Sequence, residues 1–281
     1  MNIGIIGLGV VGKAVKAYHD SRGDEVWTYD IATDRQDALE TLDKKSKVIF
    51  ICVGTPLGVD CKLDCSAVYD AVSNIKRPHT IIIKSTVMPG TTDTLQEQYP
   101  QHRMFFIPEF LDADTAVGDY AKPKRGNVIG VAGRRKIHLH WRVLFDRLLP
   151  GYATERSKDA VIWPMARTID RVDNLFMPAR EAELLKLATN TFYAFRVIFA
   201  NMLYDLGMSQ SGINAVFANP RIGDWGCQIL HKGYRGASGA CLSKDPIAFA
   251  TFLNGNTDKA ARILDSALDY NKHLVDSTKQ D

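Results

Sequence analysis

Asn2-Ile3-Gly4-Ile5-Ile6-Gly7-Leu8-Gly9-Val10-Val11-Gly12 opens the chain with a short apolar run and a glycine triplet. A helix-like stretch free of proline follows as far as Ser21. In a strand–turn–helix unit each glycine has its own reason. The first permits the tight turn, the second lets backbone approach a pyrophosphate, and the third lets helix pack closely on strand. The helix N-terminus then offers free N–H groups and a favourable dipole to an anion. Asp30 closes the next apolar run, eighteen residues beyond Gly12. That is near the ~20 residues expected for an acid that takes ribose hydroxyls. A carboxylate there repels a 2′-phosphate, so the pattern predicts NAD rather than NADP; Arg35 is the one nearby residue that speaks for the phosphate.

Outward from this unit, β-rich runs recur at Glu25–Tyr29, Lys47–Val53, Thr80–Lys84, Met104–Ile107 and Val128–Ala132. Several are almost continuously apolar, as strands buried on both faces are. Helix-like stretches such as Val11–Ser21 and Ser66–Ile75 separate them. This alternation predicts an α/β fold with a Rossmann-type, mostly parallel sheet and helices on both faces. Tyr152–Pro178 reads as irregular. Beyond it the chain reads as a smaller all-helical domain: a long helix from Ala179 to about Met208, a helix starting at Asp245-Pro246 with a capping carboxylate and stopping near Gly255, and a last helix from Thr257 to about Asp276. The expected division is residues 1–178 for the nucleotide-binding domain and 179–281 for the helical, dimer-forming one.

In open α/β sheets ligands gather beyond the carboxyl ends of the strands. Here those ends run into Val53-Gly54-Thr55-Pro56, Lys84-Ser85-Thr86 and Pro108-Glu109-Phe110. Thr55, Ser85 and Thr86 suit a ligand rim and equally suit the capping of turns. In the long helix, Lys186 and Asn190 are four apart and share a face among apolar neighbours. Such a lysine either snorkels to the surface or points its ammonium into a cleft, where it would stabilise an oxyanion. Cys241 lies in a glycine-rich loop just ahead of a helix start, with Lys244 three residues on. Dipole and cation would both favour thiolate. Beside a nicotinamide, a thiolate could capture an aldehyde, permit a second oxidation and leave a thioester for water. The plainer reading of the same residue is a small buried hydrophobe.

Bulk properties narrow the field. A net charge of +3 over 281 residues argues against nucleic acid or a membrane surface as partner. No apolar run approaches the ~20 residues that cross a bilayer. Five cysteines without framework spacing argue against a disulfide scaffold, and no His or Cys pair completes a zinc site for Cys61 and Cys65. With the glycine loop so near the first residue that no signal peptide precedes it, these features predict a cytoplasmic protein.

Seven motifs, in order, resemble the UDP-glucose/GDP-mannose 6-dehydrogenase family: Gly7–Gly12, Val53–Pro56, Lys84–Thr86 with Pro89-Gly90-Thr91, Pro108–Leu111, Glu181–Asn190, Arg221-Ile222-Gly223, and Cys241 with Lys244-Asp245. The resemblance spans almost the whole chain. It implies that a primary alcohol of a sugar or nucleotide sugar is oxidised to a carboxylate, with two NAD reduced per turnover. Cys241 would be the nucleophile, Lys186 and Asn190 would hold the oxyanion, Asp245 and Thr86 would position a proton-carrying water, and Glu109 would help activate the hydrolytic water. The cofactor would be met by Gly7, Leu8, Gly9, Val10, Val11, Gly12, Asp30, Val53, Gly54, Thr55, Ser85, Thr86 and Lys244. The substrate would be met by Phe110, Leu111, Lys186, Asn190, Arg221, Gly236 and Gly239, with Arg221 reaching across a homodimer. Departures are Ala113 in place of a family glutamate, Gly236-Ala237-Ser238-Gly239 in place of Gly-Phe-Gly-Gly, Ser243 in place of proline, and no counterpart of the family's third, nucleotide-gripping domain. Two alternatives follow. A Lys-x-x-x-Asn helix also fits a single-step hydroxyacid-type NAD dehydrogenase, and the altered cysteine loop fits a relative that binds NAD without turnover.

Overall fold

The structure, a computed structural model, describes residues 1–32, 36–122, 126–133, 139–151, 174–219, 230–231, 233–254 and 258–278. The chain divides into two compact units. The first comprises Met1–Thr55 and Cys65–Leu184, the second Pro56–Asp64 and Leu185–Asp281.

The first unit alternates strand and helix: β1 (Asn2–Ile6), α1 (Val10–Ser21), β2 (Glu25–Tyr29), α2 (Gln36–Lys45), β3 (Val48–Ile51), α3 (Ser66–Ser73), β4 (Thr80–Ile83), α4 (Thr91–Gln98), β5 (Arg103–Phe106), α5 (Ala116–Ala121), β6 (Asn127–Val131), α6 (Leu139–Leu148) and β7 (Asn174–Pro178). The seven strands run in the order β2-β1-β3-β4-β5-β6-β7. All pairs are parallel except β5 with β6. Val48-Ile49-Phe50-Ile51 is buried at every position, as a central strand between two helical layers must be. One apolar cluster joins Ile3, Ile5, Phe50, Ile82 and Phe105 to helix residues Ala14, Val15, Phe145 and Leu148.

One expectation is corrected. Asn174–Pro178 is not irregular but an edge strand, parallel to β6 with Asn127 opposite Asn174. Its proline tolerates the edge because a strand there needs to donate on one side only. One polar and one aromatic contact pin it: Asn174 Nδ2 donates to Asp146 Oδ1 at 2.7 Å, and Phe176 packs edge-on against Phe145.

The long helix α7 (Ala179–Asp205) begins in the first unit. A Cβ on Gly130 would fall 2.8 Å from Ala182 Cβ, so β6 meets the first turns of α7 at a distance only glycine allows. The second unit continues α7 and adds α8 (Gln210–Phe217), α9 (Gly239–Leu242), α10 (Asp245–Asn254) and α11 (Asp258–Thr278). It is not wholly helical: β8 (Leu230–His231) and β9 (Tyr234–Arg235) form a short antiparallel hairpin. The helix stop expected at Gly255 lies outside the described residues.

Candidate active site

In the first unit two of the three glycines of the opening turn are required by packing and backbone conformation, and the third faces open space. Gly7 has φ +92, and a Cβ on it would sit 2.7 Å from the Cys52 carbonyl. A Cβ on Gly12 would lie 1.9 Å from the Gly7 carbonyl oxygen, so α1 packs on the turn with no room for a methyl group. At Gly9 a Cβ would meet nothing within 4 Å, which is open space at the N-cap of α1. No side chain caps that helix, and Val10 is exposed. Uncapped N–H groups facing open space are what a pyrophosphate needs.

Asp30 is tied to the same turn. Its carboxylate accepts from Leu8 N–H at 2.7 Å and from Ala32 N–H at 2.9 Å. The Leu8 amide above all holds its pKa below the usual carboxylate range, so it stays ionised. Leu8 and Val11 pack against the sheet core. Arg35 lies outside the described residues.

The rim residues divide between holding the rim and facing it. Thr55 Oγ1 donates to the Thr86 carbonyl at 2.6 Å, and Ser85 Oγ donates to the Val53 carbonyl at 2.7 Å. Both hydroxyls therefore stitch the ends of β3 and β4 together, while Gly54 stays exposed and Thr86 half-buried. Glu109 is held by Lys84, Nζ to Oε2 at 2.8 Å, and its other oxygen accepts from Phe110 N–H. Lys84 is 4% exposed. Sequence reasoning quoted this lysine in a motif but gave it no role; its burial, unusual for lysine, is visible only in the fold. Phe110 is exposed, and Leu111 rests on the core. Burial pushes the Cys52 thiol up to about 12, which removes it as a nucleophile.

The second unit holds the other group of candidates. Lys186 is 6% exposed, so it is buried rather than snorkelling. Its Nζ lies 3.4 Å from Asn190 Oδ1. Asn190 Nδ2 donates to Asp245 Oδ2 at 2.5 Å, and Lys244 Nζ meets Asp245 Oδ1 at 2.6 Å. The result is one chain, Lys186–Asn190–Asp245–Lys244. One expectation changes here. Asp245, fully buried, is the first residue of α10 rather than the cap ahead of it, and both its carboxylate oxygens are engaged by side chains. Lys244 is ion-paired with Asp245.

Cys241 is exposed, not a buried hydrophobe, and sits on the one-turn helix α9. The loop before it is clamped to α11. Asn271 accepts from Ala237 N–H at 2.7 Å and donates to the Ala237 carbonyl at 3.0 Å. Gly236 has φ +81, and a Cβ on it would lie 2.5 Å from Asn271 Oδ1. Packing against Asn271 is therefore a sufficient reason for glycine at 236, apart from any substrate contact. Gly239 has φ +87 at the start of α9. Asn271, which the sequence did not single out, is legible only once the last helix is seen against this loop. Arg221, Ile222 and Gly223 lie outside the described residues. Among the described residues no cluster of three His, Cys, Asp or Glu could hold a metal, and no helix is long and apolar enough to cross a membrane.

Comparison with known proteins places the chain in a family. Residues 36–148 match the UDP-glucose/GDP-mannose dehydrogenase family, NAD binding domain, and residues 180–273 match the central domain of the same family. The UDP-glucose 6-dehydrogenase of Rhizobium meliloti (strain 1021) is 30% identical over 249 residues, covering 84% of this chain and 52% of that protein. The GDP-mannose 6-dehydrogenase of Pseudomonas putida is 25% identical, covering 98% and 69%. The solved UDP-glucose dehydrogenase of Pyrobaculum islandicum superposes with a TM-score of 0.73 at 26% identity, covering 97% of this chain and 68% of that one. The chain thus spans about half the length of the Rhizobium relative. With residues 36–148 matching its NAD binding domain and residues 180–273 its central domain, the chain belongs to the UDP-glucose/GDP-mannose dehydrogenase family.

Proposed function

We propose that the chain is an NAD-dependent dehydrogenase that oxidises a primary alcohol of a nucleotide sugar to the carboxylate in two steps through Cys241. Support for the substrate class comes from the activities named for its relatives. The observation that carries the two-step reading is the buried Lys186–Asn190–Asp245 chain in the same unit as an exposed cysteine.

Gly9 and the free end of α1 receive the pyrophosphate, and Asp30 receives the ribose and disfavours a 2′-phosphate. NAD, when bound, supplies the oxidant for both steps. The chain's own groups do the rest. Lys186 and Asn190 present donors to the alcohol oxygen as negative charge develops on it. Asp245 keeps Asn190 oriented and, with Thr86, holds the water that carries the proton away. The Cys241 thiolate then bonds to the aldehyde carbon as a thiohemiacetal, whose oxidation leaves a thioester. Water breaks the C–S bond, Glu109 accepts its proton, and the thiol is restored. The balance is one alcohol, two NAD and one water to one carboxylate, two NADH and three protons.

Incubation with NAD and a panel of UDP- and GDP-sugars tests the substrate class, read by NADH absorbance. At least one sugar nucleotide should produce NADH; silence across the panel, with NAD binding intact, would favour a relative that only binds the cofactor.

The same reading includes a homodimer built along α7. Phe192, Phe195 and Phe199 recur at intervals of three and four on that helix and are 64%, 39% and 42% exposed. An apolar stripe of this spacing suits helix-on-helix pairing with a second copy. Phe195→Asp is expected to convert the dimer to monomer, measured by light scattering; a monomeric parent protein would refute the dimer.

A further inference from the structure

Glu183 is a carboxylate that the reaction above does not use. It is fully buried and lies three residues before Lys186 on α7. It reaches the N-terminus of α4 rather than solvent. Its Oε2 accepts from Gly90 N–H at 2.5 Å. Its Oε1 accepts from Thr92 N–H at 2.8 Å and from Thr92 Oγ1 at 2.5 Å. The remaining charges are unhelpful. Asp93 on α4 repels it, and Glu183 in turn disfavours the phenolate of Tyr69 on α3. Among the described residues that bear on Glu183 no cation balances it.

Three donors on one uncompensated buried carboxylate mark an anchor. What it anchors is the segment from Ser85 to Gly90, which leaves β4, carries Ser85 and Thr86, and ends in Gly90 at φ +103. The far end of that segment is already stitched to β3 by Ser85 and Thr55. Glu183 closes the near end.

We propose that Glu183 is a positioning residue that clamps the Ser85–Gly90 rim of the dinucleotide site, more tightly when ionised than when protonated. This rests on reading the first unit as the NAD site. The ionised form accepts all three bonds. In the protonated form one oxygen becomes a donor, turns to the Thr92 hydroxyl and gives up the Thr92 amide, so one clamp bond is lost. Burial pushes the Glu183 pKa up to about 7, which places this change in the neutral range. The stability linkage runs the other way. The folded state holds this proton more tightly than the unfolded chain. The contribution is therefore full below about 4.5, the ordinary value, and is lost as pH rises through about 7.

Two measurements separate this proposal from the reading it rests on. Amide exchange of residues 85–92, corrected for intrinsic rate, needs no ligand. Protection should rise with a midpoint near pH 7 in the parent protein and stay flat in Glu183→Gln. NAD dissociation constants across the same range should fall about fivefold with rising pH in the parent alone, as the loss of one clamp bond implies. Identical pH profiles in parent and variant overturn the clamp. Normal exchange profiles without NAD binding leave the clamp standing and remove the cofactor reading instead. Should Glu183→Gln fail to fold, Thr92→Val removes a donor to the carboxylate and leaves Glu183 in place. The protection midpoint should then move to higher pH, and an unmoved midpoint overturns the proposal.

Discussion

Cys241→Ala is expected to abolish carboxylate formation, lowering its rate at least about 10³-fold, while leaving NAD affinity unchanged. The expectation follows from where the residue stands. Cys241 is solvent-exposed on α9, and the loop before it is fixed by two hydrogen bonds between Ala237 and Asn271, one accepted and one donated by Asn271. Losing the sulfur removes no buried packing, so folding should be untouched. What goes is the group proposed to hold the aldehyde covalently for its second oxidation. Cys241→Ser should do no better, because a hydroxyl is a far weaker nucleophile than a thiolate at neutral pH. Acid product quantified by mass spectrometry checks this. Carboxylate formation within tenfold of the parent would exclude the thioester route.

Gly12→Ala should have the second large effect, this time on fold and cofactor together. The added methyl would stand 1.9 Å from the Gly7 carbonyl oxygen. Backbone cannot swing aside like a flexible side chain, so α1 must move away from the turn. Gly7 cannot compensate, since it is at φ +92 and pressed on the Cys52 carbonyl. Overpacking of this kind costs about 1–3 kcal/mol, occasionally more, and the displaced helix end no longer aims its N–H groups at the pyrophosphate. A fall in Tm and a loss of NAD affinity of about 100-fold or more are expected. Gly9→Ala is the informative partner. Its methyl meets no protein atom within 4 Å, so Tm should hold while NAD binding still fails. Calorimetry and titration of both variants check the pair. Unchanged NAD affinity in Gly9→Ala would mean that the open space at the end of α1 is not the phosphate site.

Much of this was legible in the chain because local rules and the fold agree. Gly7, Gly9, Gly12 and Asp30 are spaced by the geometry of one strand–turn–helix unit, and that spacing survives in one dimension. The strands of the first unit could be placed within a residue or two because burial on both faces demands near-continuous apolar runs. Asn174–Pro178 was missed for the opposite reason. A five-residue edge strand with asparagine at one end and proline at the other carries no such signature, and its partner contacts are all long-range. The site divides similarly. Lys186 and Asn190 declare themselves by helical spacing. That Lys84 is buried against Glu109, that Asn271 clamps the cysteine loop, and that Glu183 reaches Gly90 across 93 positions of sequence are tertiary facts. The carboxylate of Asp245 shows how a local rule misleads. Asp-Pro reads as a capped helix start, yet both oxygens turn to Asn190 and Lys244.

The ratio of NADH formed to carboxylate produced, followed to completion with one accepted sugar nucleotide, tests the central proposal most directly. A two-step oxidation through Cys241 predicts two NADH for each acid and no accumulation of free aldehyde. One NADH for each molecule of substrate consumed, with a carbonyl compound as the final product, would contradict it.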